Sequence, residues 1–465
     1  MTKKGDLEAI ERTPSHLQQG SAKNITNDAV FGEITADGPN YRSLGWIATA
    51  ILMSKSMIGL GVLSIPAAFD VLGIIPGVLC LLAIGSLTSI SAYVVGTFKM
   101  NHSEVYAIDD VGYKLFGVVG REFFGAAFIV YWTFVVGSGM LSVSIALNAI
   151  STHGACTAVF VVVAFAATFL VCSIRTLGRI SFIAWAGLAS ILASILLVTI
   201  AVGVQDRPAA APSSGPWKSD YKLFGGPKFL DAASAISSLV FAYAGTTTFF
   251  AIAAEMREPK HYAKSLTVCQ ILVNSTYVSI GIVVYYFCGS YVASPALGSA
   301  GPLLKKVAYG IGILGVFVSA VLLSHVTAKY IFVRLLRGTR HLTSNSPQHW
   351  LVWLSCTFGV TVVAYIIASA IPVFNSLVSL IGAFFGTLMS FQPFGMMWLY
   401  DNWKTDKSKR SIKWYLMCTW SFFVIVAGTF LMISGTWGSV LTIISDYSAT
   451  GGSAAWSCAD NSNSV

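Results

Sequence analysis

Apolar residues along the chain gather into long runs separated by short polar stretches. Eleven runs stand out, over about residues 45–70, 74–98, 122–150, 155–174, 181–204, 230–254, 265–290, 307–333, 350–371, 374–400 and 414–437. Runs of this length, at about 1.5 Å per helical residue, suit the ~30 Å hydrocarbon core of a bilayer. The pattern predicts an all-α membrane protein with eleven transmembrane helices. Two runs are interrupted. The first, over 47–68, is broken by Gly59-Leu60-Gly61, with Pro66 beyond; the second, over 230–254, is broken around Phe241-Ala242-Tyr243-Ala244-Gly245. Unpaired backbone groups in lipid cost several kcal/mol each, so irregular chain is tolerated there only where it lines a protected cavity. Dividing the runs into 1–5 and 6–10 puts a broken helix first in each half. Five is an odd number, so the halves have opposite orientations. This predicts a 5+5 inverted repeat with helices 1 and 6 broken and one extra helix, the plan of many transporters. The inference rests on break position; no residue-level similarity between the halves is evident.

Of the 465 residues, 55% are hydrophobic and 11% charged, with a mean hydropathy of +0.72. That balance excludes an ordinary soluble domain. One transmembrane domain is expected over 44–437. Residues 1–43, with Lys3, Lys4, Glu8, Glu11 and Arg12, read as a disordered cytoplasmic tail without a signal peptide. Residues 438–465 read as an extracellular tail. The net charge of +9 raises nucleic acid as a partner, but the placement of the charge excludes it. With the N-terminus inside, the inner segments hold 22 Lys and Arg and the outer segments 6, and Lys55 lies within a helix. This is the positive-inside pattern. The outer loop 205–229, rich in Pro and Gly, reads as a cap. The inner stretch 107–116 is apolar at helical spacing and is either a short interfacial helix or a solvated connector. The eight cysteines show no metal spacing, and no cofactor or metal is expected. Cys156, Cys288 and Cys458 fall at outer helix ends, where a disulfide or free thiols are both open.

The breaks carry the candidate chemistry. A half-helix starting after Gly61 presents free N–H groups and a positive dipole end, which suit a carboxylate. The half-helix ending near Ile58 leaves carbonyls that suit an ammonium. The second break offers the same pair reversed, and together they match an α-amino acid. The candidate substrate residues are Ile58, Gly59, Leu60, Gly61, Val62, Leu63, Phe241, Ala242, Tyr243, Ala244 and Gly245, with Tyr131 as a wall. Glycine kinks and ordinary aromatic packing are the plainer alternatives. Lys55, one turn before Gly59, is placed to set its ammonium among the break's carbonyls and do the work of a bound cation; the alternative is a lysine reaching for the interface. Glu255 is a candidate inner gate through pairing with Lys or Arg. His325, on one face with Lys329, is a candidate proton relay or a structural histidine. Ser324 and Thr327 offer oxygens for a cation site. No GxxxxGK[ST] loop, HExxH or nucleophile elbow is present, which argues against direct use of ATP and against an enzyme.

The run Ser56-Met57-Ile58-Gly59-Leu60-Gly61-Val62-Leu63-Ser64-Ile65-Pro66 resembles the Ile-Gly-x-Gly-x-Leu-x-x-Pro signature of the amino acid/auxin permease family. Phe241 to Thr248 and Glu255-Met256-Arg257-Glu258-Pro259 are similar to its sixth-helix region and the Glu-Met-x-x-Pro that follows. The resemblance covers about 43–437 and is strongest to fungal neutral amino acid permeases. It implies the inverted-repeat fold of sodium-coupled neurotransmitter-type symporters and secondary active uptake. Sodium-coupled members carry an Asn near the position of Lys55, so the lysine favours protons over Na⁺. The expectation is a proton symporter importing neutral aliphatic and aromatic L-amino acids. Its partners would be the amino acid, protons and the lipid bilayer. Its membrane would be the plasma membrane, with the vacuolar membrane as alternative. An amino acid sensor of the same fold and sodium coupling remain rival readings.

Overall fold

The computed structural model describes residues 26–28, 32–34, 42–175, 177–208, 210–212, 214–342, 344–371, 373–406, 408, 410–449 and 456–462. Most of the tail expected over 1–43 lies outside the described residues. Within it, β1 (Thr26–Asp28) and β2 (Gly32–Ile34) pair antiparallel, with Thr26 opposite Ile34.

Among the described residues, the elements after it are helical. The first run is α1 (Trp46–Met57), a 3₁₀ turn (Gly61–Ser64) and α2 (Ile65–Leu72), which carries Pro66 in its first turn. Proline is tolerated there because first-turn N–H groups lack helical partners. Then come α3 (Ile74–Asn101), α4 (Ile108–Ser151), α5 (Thr157–Cys172) and α6 (Leu177–Val204). Inside α4, Gly117 adopts φ 65°, ψ −150° and joins two helices. Only glycine takes that conformation readily. The stretch 108–116 is thus a short helix leading into the third span. The second half starts with α7 (Phe229–Tyr243), a 3₁₀ turn (Ala244–Thr248) and α8 (Phe249–Ala254). It continues with α9 (Tyr262–Cys288), α10 (Pro302–Leu336) and α11 (Pro347–Ala370). The tenth run divides into α12 (Phe374–Ile381), a π-turn (Gly382–Gly386), α13 (Thr387–Ser390) and α14 (Gln392–Asn402). The last helix, α15 (Ile412–Ala449), continues beyond residue 437.

Among the described residues, ten segments are long and apolar enough to cross a membrane. The fourth expected span, α5, has 16 residues and at 1.5 Å each is about 24 Å long, short of the ~30 Å core. The most apolar stretch of Phe229–Ala254 is 94% buried, whereas that of Ile412–Ser445 is 17% buried. The broken helices therefore lie inside the bundle, and the helix outside the repeat lines its edge. Helix α10 packs along α4 and α6, α1 along α9, and α7 along α12 and α15.

Two coverings close the end of the bundle opposite the cluster of basic loops. Loop 205–229 lies on the α2–α3 corner: Ile74 N and Ile75 N donate to Lys222 O and Leu223 O, both at 3.0 Å, and Gly225 N donates to Leu72 O at 2.8 Å. Asp220 accepts from Ser290 N (2.8 Å) and Ser290 Oγ (2.6 Å), bonds that hold its carboxyl below the usual carboxylate range. Residues 456–462 form a strap. Cys458 is disulfide-bonded to Cys156, while Cys288 is a buried free thiol. Trp456 N donates to Ser369 O (3.1 Å) and Thr157 Oγ1 to Ala459 O (2.7 Å). Asn148 Nδ2 donates to Asn461 Oδ1 (2.7 Å), and Lys305 Nζ to Ser462 O (2.6 Å).

Candidate substrate site at the helix breaks

The first break begins where Ile58 leaves helical geometry (φ −75°, ψ 91°) while its N–H still donates to Ser54 O at 2.7 Å. Gly59 and Leu60 follow outside any helix, and Leu63 N donates to Leu60 O at 3.2 Å. In the second break α7 gives way to a 3₁₀ turn at Ala244, whose angles (φ −76°, ψ 3°) lie outside the helical region. The two turns are built alike. Ser64 Oγ donates to Gly61 O at 2.8 Å, and Thr248 Oγ1 donates to Gly245 O at 2.7 Å. In each, a hydroxyl three residues on bonds back to the glycine carbonyl of its own turn. This is a residue-level correspondence between the halves.

The turns also cross each other closely. A Cβ on Gly61 would run into the backbone of Ala242; one on Gly245 would lie 2.6 Å from Ser56 O. Each glycine packs on the backbone of the opposite break, so here the missing side chain makes room for protein. Beside the crossing is a cavity of about 20 Å³ lined by Gly59, Leu60, Gly61, Tyr131, Phe241 and Gly245, and also by Ser56, Met57, Trp132, Val135, Ser319 and Leu323. That volume is about one water molecule's worth, so an amino acid enters only if the surrounding helices move apart. Tyr131 OH donates to Ala244 O at 3.1 Å across the cavity. Ile58, Val62, Leu63, Ala242 and Ala244 are buried around the breaks without lining it. Tyr243 points away from it, donating to Asn274 Oδ1 of α9 at 2.8 Å.

Lys55 is 1% exposed. Its Nζ donates to Ser319 Oγ at 2.6 Å and to Ile58 O at 3.1 Å, and Ser319 Oγ donates on to Gly315 O at 3.1 Å. The ammonium thus sits at the C-terminal, negative end of the α1 dipole and ties the break to α10. The other ionisable candidates lie apart from the cavity. Glu255, at the end of α8, is ion-paired with Lys329 of α10, both buried. Leu44 N donates to Glu255 O (3.1 Å) and Arg257 N to Leu44 O (2.9 Å), so the chain before α1 crosses the same spot. His325 stacks edge-on against Trp353 of α11, with centroids 5.2 Å apart. Ser324 Oγ accepts from Cys172 Sγ at 3.4 Å, and Thr327 Oγ1 donates to Leu323 O at 2.8 Å. These three face their own helix or its neighbours α5 and α11.

The family described as transmembrane amino acid transporter protein matches residues 42–441. The chain belongs to this amino acid transporter family. It is a multi-pass integral membrane protein, and its family handles amino acids as transported substrates rather than as reactants of an enzyme. An "N amino acid transport system protein" of Neurospora crassa is 32% identical over 98% of this chain and 98% of its own length. A "Transmembrane transporter" of Gibberella moniliformis is 32% identical over 97% of this chain and 94% of its own. The structure of MhsT in complex with L-phenylalanine matches 85% of this chain and 99% of its own at 12% identity, with a TM-score of 0.57. At that identity the likeness shows the fold, which is the sodium-symporter-like inverted repeat. Sequence reasoning about this amino acid transporter missed Ser319, and it set Trp132 in a wall-forming span without naming it as a candidate site residue. Ser319 is 264 residues from Lys55, and no local pattern ties them. Trp132 adjoins Tyr131, and its span carries a small-residue face that reads equally as packing.

Proposed function

We propose that this transporter is a proton-coupled importer of neutral L-amino acids, aliphatic and aromatic, with its substrate bound between the two helix breaks. The observation that carries the reading is the buried Lys55 ammonium, fixed on Ile58 O and Ser319 Oγ. It sets a protonatable amine among carbonyls where a sodium-driven protein needs a removable ion. Tyr131, Trp132 and Phe241 around the cavity suit apolar and aromatic side chains, and L-phenylalanine is the ligand named for the solved structure of like fold. The Neurospora relative named for amino acid transport supports the same substrate class. The disulfide between Cys156 and Cys458 supports an oxidising, outer location for that end of the bundle, with the N-terminus cytoplasmic and the plasma membrane as the site of action. The Glu255–Lys329 pair serves as the inner gate.

Uptake of labelled amino acids by permease-deficient cells expressing the chain tests this. Uptake is expected to persist when Na⁺ is replaced by choline, to stop with a protonophore, and to be competed by neutral but not charged amino acids. Lys55→Met is expected to lose the pH response of uptake. Dependence on Na⁺ with indifference to the protonophore would overturn the proton reading.

A further inference from the structure

Behind the crossing of the breaks, on the side away from the cavity, stands Tyr277 of α9. It is fully buried. Its hydroxyl lies 2.8 Å from Met57 O and 2.7 Å from Ala242 O. Met57 is the last residue of α1, and Ala242 is the last but one of α7. Both carbonyls belong to the final turn of a half-helix, where acceptors lack helical partners and the dipole is negative. In the bilayer interior no bulk water serves them. A phenol has one proton, so the hydroxyl donates to one carbonyl at a time while staying in contact with both. Two half-helices from opposite halves of the repeat thus share a single donor.

The surroundings fix that donor in place. The Tyr243 ring meets the Tyr277 ring edge-on with centroids 5.0 Å apart, and Tyr243 OH donates to Asn274 Oδ1, three residues earlier on α9. Asn274 is itself held by its Nδ2 on Gln270 O at 2.8 Å. On the cavity side, Tyr131 OH donates to Ala244 O. The second break is clamped between a tyrosine in front and one behind, but only Tyr277 reaches both breaks. The glycine contacts Gly61–Ala242 and Gly245–Ser56 bring the backbones together without any directional bond. Tyr277 supplies the directional bond.

We infer that Tyr277 is a positioning residue that pins the two helix breaks to each other, so that the groups binding substrate are presented as one unit. It touches no substrate. The inference rests on the reading that the breaks bind the amino acid, and it extends that reading by naming what holds them in register.

Tyr277→Phe in the full-length chain keeps the ring and removes the pin. Two readouts separate this inference from the reading beneath it. In purified protein, amide hydrogen exchange over residues 57–64 and 242–248 is expected to speed up in both segments together; this needs no substrate. In cells, KM for labelled neutral amino acid is expected to rise about tenfold while the maximal rate per surface transporter stays within twofold, the size of effect one buried hydrogen bond supports. Tyr262→Phe, which removes a buried hydroxyl bond to Ala92 O from the same helix and touches neither break, is expected to leave KM near wild type. Unchanged exchange in either segment, or a normal KM at normal surface level, would overturn the pin. Absence of any amino acid uptake by the wild type would instead overturn the substrate reading and leave the exchange result to judge the pin. Should Tyr277→Phe not reach the surface, Tyr277→His restores a ring N–H donor. Recovery of surface protein with KM within threefold of wild type supports the pin, and a loss as complete as that of the Phe variant refutes it.

Discussion

At the scale of residues, Gly61 and Gly245 are places where a backbone must pass within contact of another backbone. Each offers the opposite break a surface without a Cβ. An added methyl group has nowhere to go, because the obstruction is main chain and cannot rotate away. Gly61→Ala is expected to cost about 1–3 kcal/mol, the usual range for overpacking. It should show as a melting temperature several degrees lower and as less protein at the surface. Gly359→Ala is the control, since nothing lies within 4 Å of a Cβ at that helical position. A stable, fully active Gly61→Ala would remove the crossing from the account. The sequence marked both glycines correctly as sites of irregular backbone, because glycine within an apolar run weakens the helix and lets the chain leave it. It assigned the freed space to a ligand, whereas the geometry gives it to the partner break. The matching hydroxyls of Ser64 and Thr248 were illegible, since a Ser or Thr bonding back three residues looks in sequence like any other helical Ser or Thr. Lys55 drew notice as an isolated charge. Its partner Ser319 did not, because only folding brings α10 beside α1.

At the scale of elements, the join between α8 and α10 concentrates a charge pair where lipid-facing helices permit few. Glu255 and Lys329 are both buried and bonded to each other, and the Leu44 backbone closes over them. Removing Lys329 strands the Glu255 carboxylate, a loss of roughly 3–5 kcal/mol for buried pairs. Lys329→Met is expected to lower thermal stability by that order. The double change Glu255→Gln, Lys329→Met should recover much of it, because no lone charge remains. A double variant as unstable as the sum of the singles would show that the two do not act as a pair. The elements themselves were largely readable, since long apolar runs leave helices as the only structure that satisfies the backbone in lipid. Two features escaped. The π-turn at Gly382–Gly386 adds one residue to a turn without changing the apolar pattern. Gly382 there sits against Ser237 O of α7, 145 residues away in sequence. The expected span stops at 437, short of the end of α15, although Val440, Leu441, Ile443 and Ile444 carry apolar residues on past Gly438-Ser439.

At the scale of the whole molecule, the strap over residues 456–462 gathers the ends of α4, α5, α10 and α11 through Asn148, Thr157, Lys305 and Ser369. None of these contacts involves the broken helices, so the strap braces one group of helices and leaves the binding elements free to move against it. Cys458→Ser is expected to lower the melting temperature, in line with the roughly 2–4 kcal/mol typical of a disulfide. A reductant should reproduce the shift in the wild type and add nothing in the variant. A reductant effect of equal size in both would place the sensitivity elsewhere. From sequence alone, three cysteines at helix ends allowed several pairings; the choice depended on where the last residues fold back, which no pattern in them announces.

The bond between Cys156 and Cys458 spans 302 residues of chain. A ribosome adding about 5–20 residues per second makes Cys458 some 15–60 s after Cys156. Through that interval the first thiol waits for its partner, while Cys172, Cys269, Cys288, Cys356 and Cys418 are made in between. All five belong to apolar helices, and the first four are buried. In the folded chain Cys172, Cys269, Cys288 and Cys356 are withdrawn from solvent. The order of synthesis and the burial of the intermediate cysteines together leave Cys156 its correct partner, and the closed strap then marks a chain whose last helix has gone in.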